Sequence, residues 1–484
     1  MKAVSLQRTN VMLRPDPARV LIRPFVPSSD QRSIKICARV MGLSDSDVRA
    51  QLDQVMAEFD VRHLEIRQFL RRRFEQVRPY LLTDEKLSTE RELLIGACFT
   101  HEYSLEAAAL FNPSIVPHPD QSDLPPGALR FVLSLRATGE GHISSITFRT
   151  GVLDAGNNIS VNEPTRHCLE PATVPSAAYE KLTFTRKLEE LGLAGEFGRH
   201  VLQALGDAFT LDELRASIAT AIKKLPTGDH DTETLTRKIT ALAQSNYEVQ
   251  FAPGSRLSER VLFPMTPSQS NGIEDARFVR FTNDDGTYSY YATYTAYDGK
   301  LILPQLLETP DFLHFKFITL NGPAVQNKGM ALFPRKIGGR YVMLGRQDYE
   351  NIYIMFSDHS HFWSDPQLLL KPTFPWEFIQ LGNCGSPIET DAGWLVISHG
   401  VGPMRKYCIG AFLLDRDDPT KVLGRLGEPL LKPEAQEREG YVPNVVYSCG
   451  SILHGRTLII PYAMSDYATT FATVPIDEVL AAMW

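Results

Sequence analysis

The run Asn271-Gly-Ile-Glu-Asp-Ala-Arg-Phe-Val-Arg-Phe281 sets Glu274, Asp275 and Arg277 within one short stretch, directly ahead of the strand-like Thr287-Tyr-Ser-Tyr-Tyr-Ala-Thr-Tyr-Thr-Ala296. Acidic residues on a turn at a strand mouth are held by the scaffold while their carboxylates stay reachable by a ligand. An adjacent arginine can keep one carboxylate ionised and leave the other free to carry a proton, the division that acid catalysis needs. A salt-bridged surface turn is the plain alternative, since such residues are common in turns. The rest of the chain decides between the two.

Working outward from this run, two textures alternate. From 250 to the end, short strand-like segments recur at 277–282, 287–296, 313–319, 341–345, 351–357, 394–398, 406–415, 444–454, 457–463 and 468–473, punctuated by Gly, Pro, Asn and Asp at hairpin spacing. Residues 128–153 alternate apolar and polar positions and break at Gly139-Glu-Gly141, which predicts two strands and a turn. Strand-rich units of roughly 40 to 50 residues without helices between them fit a β-propeller better than a sandwich. Residues 43–110 read instead as helix, with Ser44-Asp-Ser-Asp-Val as a capped start and Val48, Leu52, Val55, Met56 and Phe59 at helical spacing. A second helical block runs from 176 to 248 and includes Leu182–Leu191, Phe197–Leu205 and Leu211–Leu225. Its apolar stripe of Leu182, Leu188, Leu191 and Leu193 needs a partner surface, over the cavity mouth or in a homo-oligomer interface. The Arg71–Arg73 cluster reads as a solvated helix face.

Composition narrows the function classes. A net charge of −7 argues against nucleic acid as the main partner. No apolar run is long enough to span a bilayer, and the first twenty residues hold no apolar signal core, so no membrane partner is expected. Six cysteines (Cys37, Cys98, Cys168, Cys384, Cys408 and Cys449) lack metal-ligand spacing and read as free thiols, which suits a cytoplasmic location. His359 and His361 show His-x-His spacing without a third candidate ligand, so no metal is assigned.

The strand region, read in order, resembles glycoside hydrolase family 130, the mannoside phosphorylases and β-1,2-mannosidases. Gly272-Ile-Glu-Asp-Ala-Arg277 is similar to the family's GxEDPR motif, with Ala276 in place of proline. Asn327-Lys-Gly-Met-Ala-Leu-Phe-Pro334 with Gly339-Arg-Tyr-Val-Met-Leu-Gly-Arg346 is similar to its NKDxALFP…GKYxxLHR stretch, with Gly329 in place of aspartate. Gly385–Val401 resembles PPIxTxxGWLxxYHGV, and Tyr407–Asp415, Asp418-Pro419 and Pro461–Asp466 follow in the family's order. Phe111-Asn-Pro-Ser114 and Leu135-Arg136 resemble the start of a first blade. The resemblance implies a mainly β chain folded as a five-bladed β-propeller. Residues 1–105 would be a largely helical N-terminal region, 106–165 the first blade, 166–248 a helical insertion and 249–484 the remaining blades.

The same resemblance implies the site. Asp275 would be the general acid, acting through a sugar hydroxyl, with Glu274 and Arg277 fixing its charge and position. Asn112, Arg136, His399 and Asp466 would contact an oligosaccharide substrate. Lys328, Arg346 and Tyr407 would hold inorganic phosphate, the co-substrate of the family's phosphorylases; no other cofactor is implied. The family's lysine in PPIKT is Glu389 here, and a carboxylate at a phosphate site repels the anion but can serve as a base for water. The leading expectation is therefore an inverting glycosidase acting on β-1,2-linked or similar mannosides, with Asp275 as acid and Glu389 as base. Phosphorolysis releasing mannose 1-phosphate is the alternative, and a non-catalytic carbohydrate-binding propeller is a third reading.

Overall fold

The computed structural model describes residues 4–174, 178–224 and 229–483. Two ends of the expected helical stretches, residue 176 and Leu225, lie outside the described residues. The chain is mainly β, and its strands follow one another as antiparallel meanders. Ala109–Pro117, Leu129–Thr138 and Ser144–Leu153 form the first. Gly272–Thr282, Tyr288–Tyr297, Ile302–Thr309 and His314–Thr319 form the second. The third is Ala331–Leu332, Tyr341–Gly345, Ile352–Ser357 and Gln367–Leu370, and the fourth is Gln380–Asn383, Gly393–Gly402, Lys406–Leu414 and Val422–Arg425. Val446–Tyr447, Thr457–Met464 and Ala468–Pro475 form the fifth.

Gly272 shows why the second meander begins where it does. It pairs with Ser144 of the first meander at φ 142°, and a Cβ added there would meet the Ser144 Cβ at 2.9 Å. Only glycine accepts both the backbone conformation and the contact. Beyond it, Phe148, Tyr290, Phe278, Phe312 and Phe315 pack edge and face in one buried aromatic cluster between the two meanders.

The hairpin expected at 128–153 is present, with Leu129 opposite Leu153 and Thr138 opposite Ser144. The single strand expected over 444–454 is instead two short ones, Val446–Tyr447 and Ile452–His454, both paired with Thr457–Met464. Between them the backbone leaves the sheet, and the Cys449 amide donates to the Pro113 carbonyl at 2.8 Å. Competing hydrogen bonds to another sheet override the local strand pattern.

Residues 1–105 also depart from the helical expectation. Gln7–Leu13 forms the outer strand of the fifth meander, paired with Ala468–Pro475 at the far end of the chain, and Val20–Pro24 pairs with Thr100–Ser104. Such long-range pairing leaves no local signal. Between these strands lie the helices Asp30–Met41, Asp45–Phe59, Ile66–Val77 and Thr89–Cys98. Ser44 caps the second by accepting from the Asp47 amide, as its sequence predicts. Arg71 and Arg72 are exposed, but Arg73 turns inward to donate to the carbonyls of Phe99 (2.9 Å) and Phe25 (2.8 Å).

The second helical block has its own core, which includes Phe184, Leu188, Phe197, Val201 and Ile218. Leu188 and Leu193 are buried as expected, whereas Leu182 and Leu191 are exposed. The block is fastened to the outer side of the second meander. Strand Tyr247–Gln250 pairs with His314–Thr319, and Lys187 Nζ donates to the Leu320 carbonyl at 2.9 Å. It thus joins that meander three strands away from the strand that carries Asp275, about 14 Å at ordinary strand spacing. Among the described residues, no helix is long and apolar enough to cross a membrane.

The N-terminal segment is held to the first meander by a fully buried ion triad. Glu106 accepts from Arg19 at 2.9 Å and from Arg149 at 2.8 Å, and Arg19 also donates to the Ser258 carbonyl at 2.7 Å. Removing one partner of such a group strands charge away from water. Glu106→Ala should therefore cost about 3–5 kcal/mol in chemical denaturation. Arg62→Ala, which breaks a more exposed pair with Glu102, should cost under about 1 kcal/mol.

Candidate active site

Asp275 lies where the strand Gly272–Thr282 breaks register against its neighbour, between Glu274 and Arg277, with φ 54°. Asn112 lies at the matching break in the first meander, between Phe111 and Ser114, with φ 49°. A bulge of this kind re-aims a side chain that would otherwise alternate with the sheet, and Asn and Asp tolerate the left-handed backbone best. The two side chains meet: Asn112 Nδ2 donates to Asp275 Oδ1 at 2.6 Å. Arg136 donates to the same oxygen at 3.1 Å and to Glu274 Oε1 at 2.7 Å, while its guanidinium lies 4.9 Å from the centre of the Phe111 ring. Lys328 Nζ stands 3.9 Å from Glu274 Oε2.

A wall of cations continues from there. Arg277 Nη1 donates to the carbonyls of Gly329 (2.8 Å) and Asn383 (3.2 Å) and to Asn383 Oδ1, and Nη2 donates to the Tyr447 hydroxyl at 2.6 Å. Arg346 donates to His399 Nε2 at 3.2 Å, and its carbonyl accepts from Asn327 Nδ2 at 2.8 Å. Burial first, then the charges of Arg346 and Arg277, hold the His399 pKa well below its ordinary value, so the ring is neutral. Since Nε2 accepts, Nδ1 carries the hydrogen and donates to the Asn383 carbonyl at 3.2 Å. The Tyr407 ring lies 6.0 Å from His399 and nearly parallel to it. The Nε atoms of Arg277 and Arg346 are buried and have no hydrogen-bond partner among the described residues, nor has Asn327 Oδ1.

The carboxyls of this cluster are unlike one another. Burial pushes the Asp275 pKa up, but Arg136, Lys328, the Asn112 hydrogen bond and Arg277 outweigh it and bring the value to about 2. Asp466 goes the other way. Burial and then the negative charge of Asp275 raise it to about 6, against the pull of Arg136, Lys328 and Arg405. The cluster thus holds one carboxylate firmly ionised and one carboxyl with an elevated proton affinity.

Glu389 is not part of the cluster. Its two oxygens are taken by Arg335 (2.6 and 2.9 Å), with a further bond from Arg416 at 2.9 Å. These two arginines lower its pKa and leave it a paired anion at the rim. It stands opposite Trp394, five residues from His399 along the strand Gly393–Gly402, or about 17 Å. Arg335 pairs with Thr282, at the opposite end of the strand that begins beside Asp275. The expectation of a base here fails on strand geometry: adjacency to the motif did not mean convergence in space.

The other expected residues do converge: Asn112, Arg136, Glu274, Asp275, Arg277, Lys328, Arg346, His399, Tyr407 and Asp466. Tyr447 and Asn383 join them without having been expected. Neither lies beside a charged motif, and only the meeting of strands from different sheets brings them to Arg277. Trp394 is fully buried and packs on Phe333. His359 and His361 have ring centres 6.0 Å apart, and no group of three metal-ligating side chains occurs among the described residues. The recess at Asp275, lined also by Thr293, Lys328 and Met330, encloses only about 10 Å³, whereas a hollow of about 180 Å³ lies between the helical block and the second meander. Size does not locate the chemistry here; the convergence of charges does.

The model of glycoside hydrolase family 130, described as beta-1,4-mannooligosaccharide phosphorylase, matches residues 238–484. The chain belongs to this family. It is accordingly an enzyme of the glycoside phosphorylase or glycoside hydrolase kind. It is similar to a 1,2-beta-oligomannan phosphorylase of Thermoanaerobacter sp. (strain X514), 38% identical over 232 residues, covering 46% of this chain and 75% of the relative. It is also similar to a beta-1,2-mannobiose phosphorylase of Listeria innocua, 32% identical over 232 residues, covering 45% of this chain and 62% of the relative. Among solved structures, the Listeria innocua beta-1,2-mannobiose phosphorylase in complex with beta-1,2-mannobiose aligns with 78% of this chain and 92% of its own. Its identity is 22% and its TM-score 0.46.

Glu389→Gln should leave turnover within about twofold of the wild type, because it alters a partly exposed ion pair of small energetic worth. Steady-state kinetics on β-mannosides checks this, and a loss of about 10²-fold or more would restore Glu389 to the chemistry.

Proposed function

We propose that this enzyme is a phosphate-dependent β-mannoside phosphorylase, cleaving a β-1,2-linked or similar manno-oligosaccharide to mannose 1-phosphate. The observation that carries this reading is the cationic wall. Arg136, Arg277, Lys328 and Arg346 stand against two carboxylates, Glu274 and Asp275, when Asp466 holds its proton. Two positive charges are then left over, or one when Asp466 is ionised, and two buried guanidinium nitrogens have no hydrogen-bond partner among the described residues. A phosphate dianion needs such pairing, since burying it unpaired is prohibitive. At about 5 Å each cation attracts each negative charge by about 3 kcal/mol at an effective dielectric constant near 20. The phosphorylase names of the relatives support the same reading. Hydrolysis is the weaker reading, because it relied on Glu389 as the base that activates water.

In the proposed mechanism Lys328, Arg346 and Tyr407 hold phosphate beside the sugar. Asn112, Arg136 and Asp275 orient the sugar hydroxyls. Asp275 takes up a proton from solvent as the incoming phosphate shares the cations that keep it ionised, and passes it by way of one hydroxyl to the leaving oxygen. The proton of hydrogen phosphate is released as the product ester ionises. A phosphate oxygen attacks the anomeric carbon from the opposite face as the glycosidic bond breaks, with inversion. His399 is neutral and fixed by Asn383, so it positions Arg346 without adding charge. We also propose that the five meanders stand as propeller blades, with the first strand of each lining this centre.

Three outcomes test this function. Incubation with β-1,2-mannobiose should release mannose 1-phosphate only when phosphate is present; release of free mannose alone, at equal rates with and without phosphate, would establish hydrolysis instead. Asp275→Asn should fold normally, because Asn also tolerates the left-handed backbone, yet lose about 10²–10⁴-fold in turnover. Arg346→Ala should mainly raise the KM for phosphate, as seen in initial rates across phosphate concentration.

A further inference from the structure

We propose that the hollow between the helical block and the second meander is a second ligand site, holding one neutral monosaccharide. It lies apart from the cationic centre, and the inference holds whether the chain performs phosphorolysis or hydrolysis.

The hollow encloses about 180 Å³. At roughly 30 Å³ per water this is room for about six waters, the space of one sugar ring and not of an oligosaccharide. One wall is the helix Lys181–Glu190, and the other is the strand His314–Thr319 with the segment after it. The helix precedes residue 238, where the match to family 130 begins, so the matched part of the chain supplies only one wall.

Two side chains that line the hollow are more than nine-tenths buried and keep hydrogen-bonding capacity unused. Lys187 is 5% exposed, and its Nζ donates to the Leu320 carbonyl at 2.9 Å and to Glu190 Oε2 at 3.0 Å. One of its three N–H groups is thus free among the described residues. Asn321 is 2% exposed. Its Nδ2 donates to the Thr319 carbonyl at 2.9 Å, while Oδ1 is buried without a hydrogen-bond partner among the described residues. Both are held in place. Glu190 Oε1 accepts from the Gly322 amide, and the Asn321 backbone donates to the His361 carbonyl and accepts from the Trp363 amide, each at 2.8 Å. A buried acceptor left unmade is costly, and an entering O–H group removes that cost.

The chemistry of the lining selects the ligand. Phe184 and Phe317, the latter stacked on Tyr247 at 4.3 Å, make an apolar wall. Burial above all lowers the pKa of His361, so its ring is neutral and offers both an N–H and a bare nitrogen. The charge of Lys187 is met by Glu190, Lys316 stands opposite Glu248 on the next strand, and Glu180 adds a negative charge. Unlike the cationic centre, the hollow has no positive excess with which to hold an anion. A hydroxyl group donates and accepts at once. A ring bearing several can therefore meet Lys187, Asn321 and His361 together while its carbon face lies on the aromatic wall.

The test is calorimetric titration of mannose into the Asp275→Asn enzyme saturated with β-1,2-mannobiose in phosphate-free buffer, so that the centre is occupied and turnover is suppressed. One further mannose should bind per chain with a Kd of about 1 mM, the range expected for so small a neutral ligand. Mannose 1-phosphate should bind there at least about tenfold more weakly. Thr183 is half-buried and lines the hollow. Adding Thr183→Trp should abolish the extra binding, and adding Lys187→Met should weaken it about tenfold; retained mannobiose binding confirms that each variant is folded. Alone, Thr183→Trp should leave turnover of β-mannosides within about twofold. Absence of any binding beyond the occupied centre overturns the proposal and leaves a seam filled by solvent only. Binding unchanged in Thr183→Trp, or tighter for mannose 1-phosphate than for mannose, overturns it as well. If mannobiose does not occupy the Asp275→Asn centre, mannose should fill two sites, and Thr183→Trp should remove one of them.

Discussion

One guanidinium holds the centre together. Arg277 extends from the second meander and binds the Gly329 carbonyl ahead of the third, Asn383 at the end of the first strand of the fourth, and the Tyr447 hydroxyl in the fifth. A planar fork with fixed donors suits this task, because it sets the separation and the orientation of three partners at once. Asn383 in turn fixes His399, and His399 fixes Arg346. The position of Arg346 therefore descends from a single buried side chain. The same side chain adds charge that depresses the pKa of both Asp275 and His399.

The backbone bears the cost of this arrangement. Asn112, Asp275, Asn327 and Asp466 all occupy left-handed conformations, each worth roughly 1–2 kcal/mol of strain for an ordinary residue. The penalty is smallest for Asn and Asp, and all four positions carry one of them. In a regular strand, alternation would send every second side chain into the interior of a sheet. Breaking the register at Phe111/Ser114 and at Glu274/Arg277 turns the polar groups toward one another instead. Strain and function coincide at these positions, as they do wherever a site is pre-organised.

How much of this could be read from the sequence follows from the range of each interaction. Alternation and turn residues marked most of the longer strands from 277 onward, because their causes lie within a few residues, but not the short ones at 331–332, 367–370, 380–383, 388–390 and 422–425. The strand Ile302–Thr309 was missed between two stronger neighbours, and Gln7–Leu13 was missed because its partner lies at the other end of the chain. The candidate site was legible where ordered motifs carried it, which is why Asn112, Arg136, Asp275 and Lys328 meet. Tyr447 and Asn383 were not legible, since their role arises only where separate sheets converge. Glu389 is the instructive failure. It occupies a motif position, but motif order says nothing about which end of a strand a residue faces. Arg335 and Arg416 had already claimed its charge.

With Glu389 removed from the centre, the logic of the carboxyls changes. A base for water would have to sit across the sugar from Asp275 and be free to accept a proton. Among the cluster's carboxyls, Glu274 is tied to Arg136, and burial and the charge of Asp275 raise the proton affinity of Asp466. What the centre offers on the attacking side is positive charge, with buried guanidinium nitrogens and a neutral histidine that adds none. A nucleophile that arrives already ionised needs no base, only cations to hold it and a carboxyl to supply the proton for the departing oxygen. On the phosphorylase reading proposed above, phosphate fills that role. On that proposed reading, the positive excess that would hold the dianion is the same one that keeps Asp275 ionised before it arrives.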